Sequence, residues 1–164
     1  MITLTIEEMN QASQFALDVY DKTFEVYRMR DRNLTKEKLL ENIYRGKCGE
    51  IAAHKYLDRN DKCVSNVDFS IHEQRSHDAD LEIIGCGIQV HIKTCKSNLL
   101  SRLFEANAPY VCNPTSLDYV LLVVQQSNSE YLVASIRHSA SHIYKPTIKP
   151  MASKLAVYWA DICG

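Results

Sequence analysis

Residues 88–96, Ile-Gln-Val-His-Ile-Lys-Thr-Cys-Lys, begin with a strict alternation of apolar and polar side chains. A period of two is the signature of a strand with one face on a core. Ile88, Val90 and Ile92 take one face, and Gln89, His91 and Lys93 take the other. The preceding residues alternate too, with Leu81 and Ile83 apolar and Asp80 and Glu82 between them. Gly85-Cys86-Gly87 separates the two runs, which predicts a β-hairpin. Parity then constrains the register. Asp80 and Glu82 share a face with Gln89, His91 and Lys93 only if paired residue numbers sum to an odd value, which requires an even-numbered loop. A Gly85-Cys86 loop sets Asp80 opposite His91. A Cys86-Gly87 loop sets Asp80 opposite Lys93 and Glu82 opposite His91. A three-residue loop would scatter the polar groups over both faces. Two acids and a lysine gathered on one strand face could hold a divalent metal and stabilise a phosphate.

The other 140 or so residues bound what surrounds this hairpin. A chain of 164 residues suits one domain with a real core. There is no apolar run long enough to span a bilayer, and the first residues, Met-Ile-Thr-Leu-Thr-Ile-Glu-Glu, lack the pattern of a secretory signal. The expectation is an intracellular protein without a membrane partner, its six cysteines (48, 63, 86, 95, 112 and 163) reduced. None forms a Cys-x-x-Cys pair, which weighs against zinc, although His77, Cys86, His91 and Cys95 are close enough in sequence to leave that alternative open. Net charge is −1. Its distribution is uneven: residues 86–164 hold seven Lys and Arg against four acids, and no acid lies between 135 and 160. That basic segment, with Arg137, Lys145, Lys149 and Lys154, reads either as a phosphate-binding face or as a solvated tail.

Two helices are expected ahead of the hairpin. Residues 5–28 open on a Thr5/Glu8 capping box and carry Ile6, Met9, Ala12, Ala16, Val19, Phe24 and Tyr27 at helical spacing. A charged break follows, whose Arg28, Arg30 and Arg32 read as a solvated connection more readily than as a nucleic-acid contact. Residues 35–58 place Leu39, Ile43, Ala53 and Leu57 on one stripe, with Gly46 and Gly49 as points of bending or restart. Glu50 falls on the same stripe. An acid pointing inward costs free energy unless something pairs with it. A buried ion pair or a bend that exposes it is the plain account, and a metal ligand or catalytic carboxylate is the sharper one. The two glycines, which allow close approach of a backbone or phosphate, support the sharper account.

Beyond these helices, Val64, Val67, Phe69 and Ile71 suggest a short strand. After the hairpin, residues 97–114 read as loop with a short helix. Residues 117–124 form an apolar strand buried on both faces, and residues 130–136 return as another. Pro146 and Pro150 mark a loop, and residues 154–161 a final short element. The fold class expected is α/β with one central mixed β-sheet, the whole chain forming one domain divided into a first helix and connection (1–34), a core (35–136) and a basic C-terminal segment (137–164).

Gly49-Glu50 on a helix, Ala79-Asp80-Leu81 some 30 residues later, and then a strand ending Gln89-Val-His-Ile-Lys-Thr94 together resemble the PD-(D/E)xK nuclease superfamily. The resemblance covers residues 36–136 and its motif is short. It implies the restriction-endonuclease-like fold, a mixed sheet flanked by α-helices. Asp80 would then be the metal-binding aspartate, Lys93 the motif lysine that orients water and stabilises charge on the phosphate, and Glu50 the helix glutamate that helps hold the metal. His91 departs from the pattern, since the family has an acid, or sometimes Gln, two residues before the lysine.

The chemistry implied is metal-dependent hydrolysis of DNA phosphodiesters, of restriction, homing or junction-resolving type, with DNA as partner and a homodimer suited to cutting both strands. Mg²⁺ is the expected cofactor, and an imidazole in the ligand set shifts preference toward Mn²⁺. Three outcomes are open at His91. It acts as ligand or general base, or Glu82 (with Asp78 nearby) supplies the displaced carboxylate, or the site is inactive and the fold serves as a DNA-binding or protein-interaction module. Gln89, Lys96, Arg137, Lys145 and Lys149 are the candidate DNA contacts. His138 and His142 read as surface residues, and Tyr158 and Trp159 as core. A small-molecule enzyme using the acids and His91 is a third reading.

Overall fold

The computed structural model describes residues 1–30, 34–71, 79–99, 109–110, 118–138, 145–146 and 155–158. Two long helices come first. α1 (Ile6–Arg30) starts from the expected capping box: the Thr5 N–H donates to Glu8 Oε2 at 2.7 Å, and the Glu8 N–H donates to Thr5 Oγ1 at 3.2 Å. α2 (Lys36–Arg59) is capped by Thr35, whose hydroxyl accepts from the Lys38 N–H. It runs unbroken through Gly46 and Gly49, so neither glycine restarts it. Lys55 of α2 reaches Glu8 at 2.8 Å and the Thr3 carbonyl at 3.1 Å, which ties the two helices and the N-terminal segment together.

The principal sheet has five strands: β1 (Ile2–Thr3), β2 (Leu81–Ile83), β3 (Ile88–Lys96), β5 (Tyr119–Gln125) and β6 (Glu130–His138), in the order β1-β6-β5-β3-β2. β3 and β5 are parallel and the other neighbours antiparallel, so the sheet is mixed, as expected. A smaller sheet joins β4 (Pro109–Tyr110), β7 (Lys145–Pro146) and β8 (Leu155–Tyr158) in the order β4-β8-β7. The strand expected around Val64–Ile71 does not form. That stretch contributes one bridge, Val64 to Ile83, and Val64, Val67 and Phe69 pack on the core instead of pairing in a ladder. The short β1 was not anticipated, because two residues are too few for a periodic signal.

β5 is the middle strand, and Val120 through Val124 are all buried. A continuous apolar run is what a strand covered on both faces requires. One face of the sheet carries Val90, Ile92, Leu121, Val123 and Tyr131, which pack with Cys48, Ile51 and Ala52 of α2 and with Ile2, Leu4 and Ala12. α1 then lies against α2. Ala12 and Ala16 of the α1 stripe are buried as their spacing implies, while Ile6, at the helix start, is exposed. Among the described residues no helix is long and apolar enough to cross a membrane.

Candidate functional site

The hairpin takes the register in which Asp80 faces His91. Leu81 pairs with Val90, Glu82 with Gln89 and Ile83 with Ile88. The connection, residues 84–87, has an even number of residues, with Gly85 (φ 93°) and Gly87 (φ 66°) in the left-handed region that glycine adopts without steric cost. The register continues to Asp80, whose N–H donates to the Val90 carbonyl at 3.0 Å. Its side chain turns back onto the partner strand, where Oδ2 accepts the Ile92 N–H at 2.6 Å. A carboxylate oxygen thus takes a ladder N–H at the mouth of the hairpin and anchors the acid there.

α2 delivers Glu50 to the same place. Its approach depends on Gly49: a Cβ there would stand 2.8 Å from the Cβ of Thr94 and nearly on top of its hydroxyl. The close approach expected of a glycine in this helix is therefore made by a side chain of β3. Gly46 plays no such part, since a Cβ on it would meet nothing within 4 Å. Burial raises the proton affinity of Glu50 to a pKa of about 7. Lys47 opposes that rise, and the nearby Asp80 and Asp68 add to it. Burial also raises Asp80, offset by the Ile92 hydrogen bond and by the charges of Lys93, His91 and Lys47. Both acids are thus pushed up mainly by desolvation, and Glu50 further by the charge of Asp80, although cations act on each of them.

Lys47 is a site residue beyond those expected from the sequence. Its side chain is only 8 % exposed. Its ammonium donates to Glu50 Oε2 at 2.5 Å and to the Asp68 carbonyl at 2.6 Å, and lies 4.3 Å from the centroid of the Phe15 ring. The available signal was its position three residues before an inward-pointing acid, where helix geometry puts the two side chains together.

His91 turns the other way. It is buried, and its Nε2 lies 3.2 Å from Oδ2 of Asp118, just ahead of β5. Asp118 is also buried and was likewise not anticipated; an acid leading into an otherwise apolar strand was its signal. Glu82 is exposed and Gln89, its cross-strand partner, half-buried. Lys93 is exposed on the face that carries His91, and its charge is felt at Asp80. Lys96 makes an ion pair with Glu41 of α2. Arg137 and Lys145 have described backbone positions in β6 and β7. Asp78 and Lys149 lie outside the described residues.

No family model, curated protein or solved structure matches the chain.

The donor set can be tested against a divalent metal. Among the described residues, no three His, Cys, Asp or Glu side chains form a ligand group. The two acids whose charges act on one another are Glu50 and Asp80. Each has one oxygen committed, to Lys47 and to the Ile92 N–H respectively. Two carboxylates and no nitrogen or sulfur suit Mg²⁺, which commonly takes one or two carboxylates and keeps several waters. His91, with Nε2 turned to Asp118, and Glu82, out on the exposed strand, are not gathered with that pair.

Proposed function

We propose that the chain is a metal-dependent DNA endonuclease of restriction-endonuclease-like fold, working as a homodimer where both strands are cut. The observation that supports this reading is that the charge of Asp80, at the mouth of the hairpin, acts on Glu50, from the helix, while that of Lys93 acts on Asp80. Those are the elements from which the PD-(D/E)xK motif draws its residues. Glu50 and Asp80 would hold Mg²⁺ or Mn²⁺, and such an ion, when bound, neutralises phosphate charge and acidifies water. Lys93 would supply the positive charge that a scissile phosphate near Asp80 needs. Asp80 is held in place by the Ile92 N–H, and Glu50 by Lys47. Gln89, Lys96, Arg137, Lys145 and Lys149 are proposed contacts to the DNA.

One observation favours a second reading. At the position where the motif has an acid stands His91, and its imidazole is paired with Asp118 inside the protein. A chain that keeps the nuclease scaffold for binding DNA or another protein could replace the acid in this way. Incubation of supercoiled plasmid, linear duplex and branched DNA with Mg²⁺ or Mn²⁺ separates the two. The nuclease reading expects cleavage by wild type that is lost in Asp80→Ala and Lys93→Ala. Cleavage that survives both substitutions would sink the site, and no cleavage of any DNA form with either ion would leave the binding module.

A further inference from the structure

Lys47 is enclosed by three separate pieces of the chain. Glu50 comes from its own helix, Phe15 from α1, and Asp68 and Phe69 from the segment after α2. The two rings meet edge to face, with centroids 5.7 Å apart, and the ammonium lies 5.3 Å from the centroid of Phe69. A lysine on a solvated surface can swing its head group aside when another cation arrives. This one would have to give up a carbonyl and two ring faces, and no comparable set of partners replaces them in a partly buried setting. The ammonium is a fixed part of the acid pair's surroundings.

We propose that Lys47 is the resident counter-cation of the Glu50/Asp80 pair, so that the site takes one divalent ion and not two, and holds it less tightly than the bare acids would. The proposal rests on the metal reading given above. Paired ions about 3.5–4 Å apart would have to share these two carboxylates, each of which already spends one oxygen on a hydrogen bond. Here Oε2 of Glu50 belongs to Lys47 and Oδ2 of Asp80 to the Ile92 N–H. Charge points the same way. Lys47 lies against Glu50 and its charge also acts on Asp80, so one divalent ion already outweighs the negative charge that the two acids have left. A second ion would be repelled by the first and by both lysines.

Mn²⁺ binding to the full chain at pH 8, counted from the loss of the free-ion electron paramagnetic resonance signal, tests this without reference to cleavage. Wild type is expected to bind one Mn²⁺ per chain, and Asp80→Asn to lose it. Lys47→Arg, which keeps the charge, is expected to retain wild-type affinity. Lys47→Met is expected to bind Mn²⁺ at least about tenfold more tightly, because a positive charge beside the ion is removed. Lys47→Gln keeps a donor for the Asp68 carbonyl and is expected to tighten binding likewise; whichever neutral variant retains the wild-type circular dichroism decides. Two ions on wild type, or neutral variants no tighter than wild type, overturn the role of Lys47. No Mn²⁺ on wild type, or binding indifferent to Asp80→Asn, overturns the metal seat itself.

Discussion

Gly49 of α2 lies directly beneath Thr94 of β3, so close that a methyl group on the helix would occupy the space of the threonine side chain. This sets the depth at which the helix seats on the sheet, and Glu50 is the next residue. Gly49→Ala is therefore expected to destabilise the protein. Overpacking costs about 1–3 kcal/mol, against a helix-propensity gain of at most about 1 kcal/mol. Thr94→Ala removes the hydroxyl, which is buried without a hydrogen-bond partner among the described residues. In the double variant it should recover part of the loss, since the residue-94 Cβ stays close. Urea unfolding of the two single variants and the pair gives the coupling. Additivity of the two changes would show that the contact does not set the helix position.

Glu50 makes stability depend on pH in a calculable direction. Its pKa rises from 4.5 to about 7 on folding, with burial the main cause. Between those values the folded chain keeps a proton that the unfolded chain has released. Stability from this group is therefore greatest below the ordinary carboxylate range, falls as pH rises toward 7, and carries the full penalty above it. Glu50→Gln removes this dependence, although it also weakens the hold on Lys47. The difference in unfolding free energy between pH 5 and pH 8 should shrink by roughly 2 kcal/mol in the variant, since one pKa unit corresponds to about 1.4 kcal/mol. An unchanged difference would mean that Glu50 is not desolvated.

The same protonation predicts when a metal ion stabilises the fold. A cation binds ionised carboxylates, and both acids of the pair hold their protons more tightly than usual. Mg²⁺ at millimolar concentration is expected to raise the melting temperature by several degrees at pH 8 and hardly at all at pH 5.5. Chelation with EDTA should reverse the rise, and Asp80→Asn should abolish it. Equal stabilisation at both pH values would point to ion binding elsewhere.

The alternation in residues 80–93 narrowed the hairpin to two registers, because parity of the loop and polarity of the face leave few, and the structure takes the one that puts Asp80 opposite His91. The middle strand was equally plain, since a run such as Tyr119–Val124 must be covered on both sides. The Val64–Ile71 stretch misled, because apolar side chains that pack from an irregular segment have the same composition as a strand. What stayed hidden at the site is pairing across elements. Lys47 and Asp118 are charged residues whose burial is set by Phe15, Phe69 and His91, residues distant in sequence. No local periodicity reports such partners. The sequence did point to Glu50 as an inward acid and left a buried ion pair open for it; the i,i+3 position of Lys47 was the local clue, and what stayed hidden is the enclosure of that lysine by Phe15 and Phe69.

The pairing of His91 with Asp118 makes the motif's unusual position testable by exchange. Nε2 and Oδ2 are 3.2 Å apart, and both side chains are buried. His91→Glu restores the acid that the motif calls for. It also sets a second carboxylate against Asp118 with no donor between them, and it brings a third acid toward Asp80. Removing one member of a buried pair costs about 3–5 kcal/mol when a charge is left without its partner. The single variant is accordingly expected to be strongly destabilised or to fold only at low pH. In His91→Glu/Asp118→Asn the amide of residue 118 can donate to the new carboxylate, so the hydrogen bond returns with donor and acceptor exchanged. The double variant should recover at least about half of the lost stability in urea unfolding at pH 7. If the acid at 91 then joins Glu50 and Asp80, Mg²⁺ should protect the double variant from thermal unfolding more than it protects wild type. Failure of Asp118→Asn to rescue His91→Glu would show that residue 118 does not hold the side chain at 91.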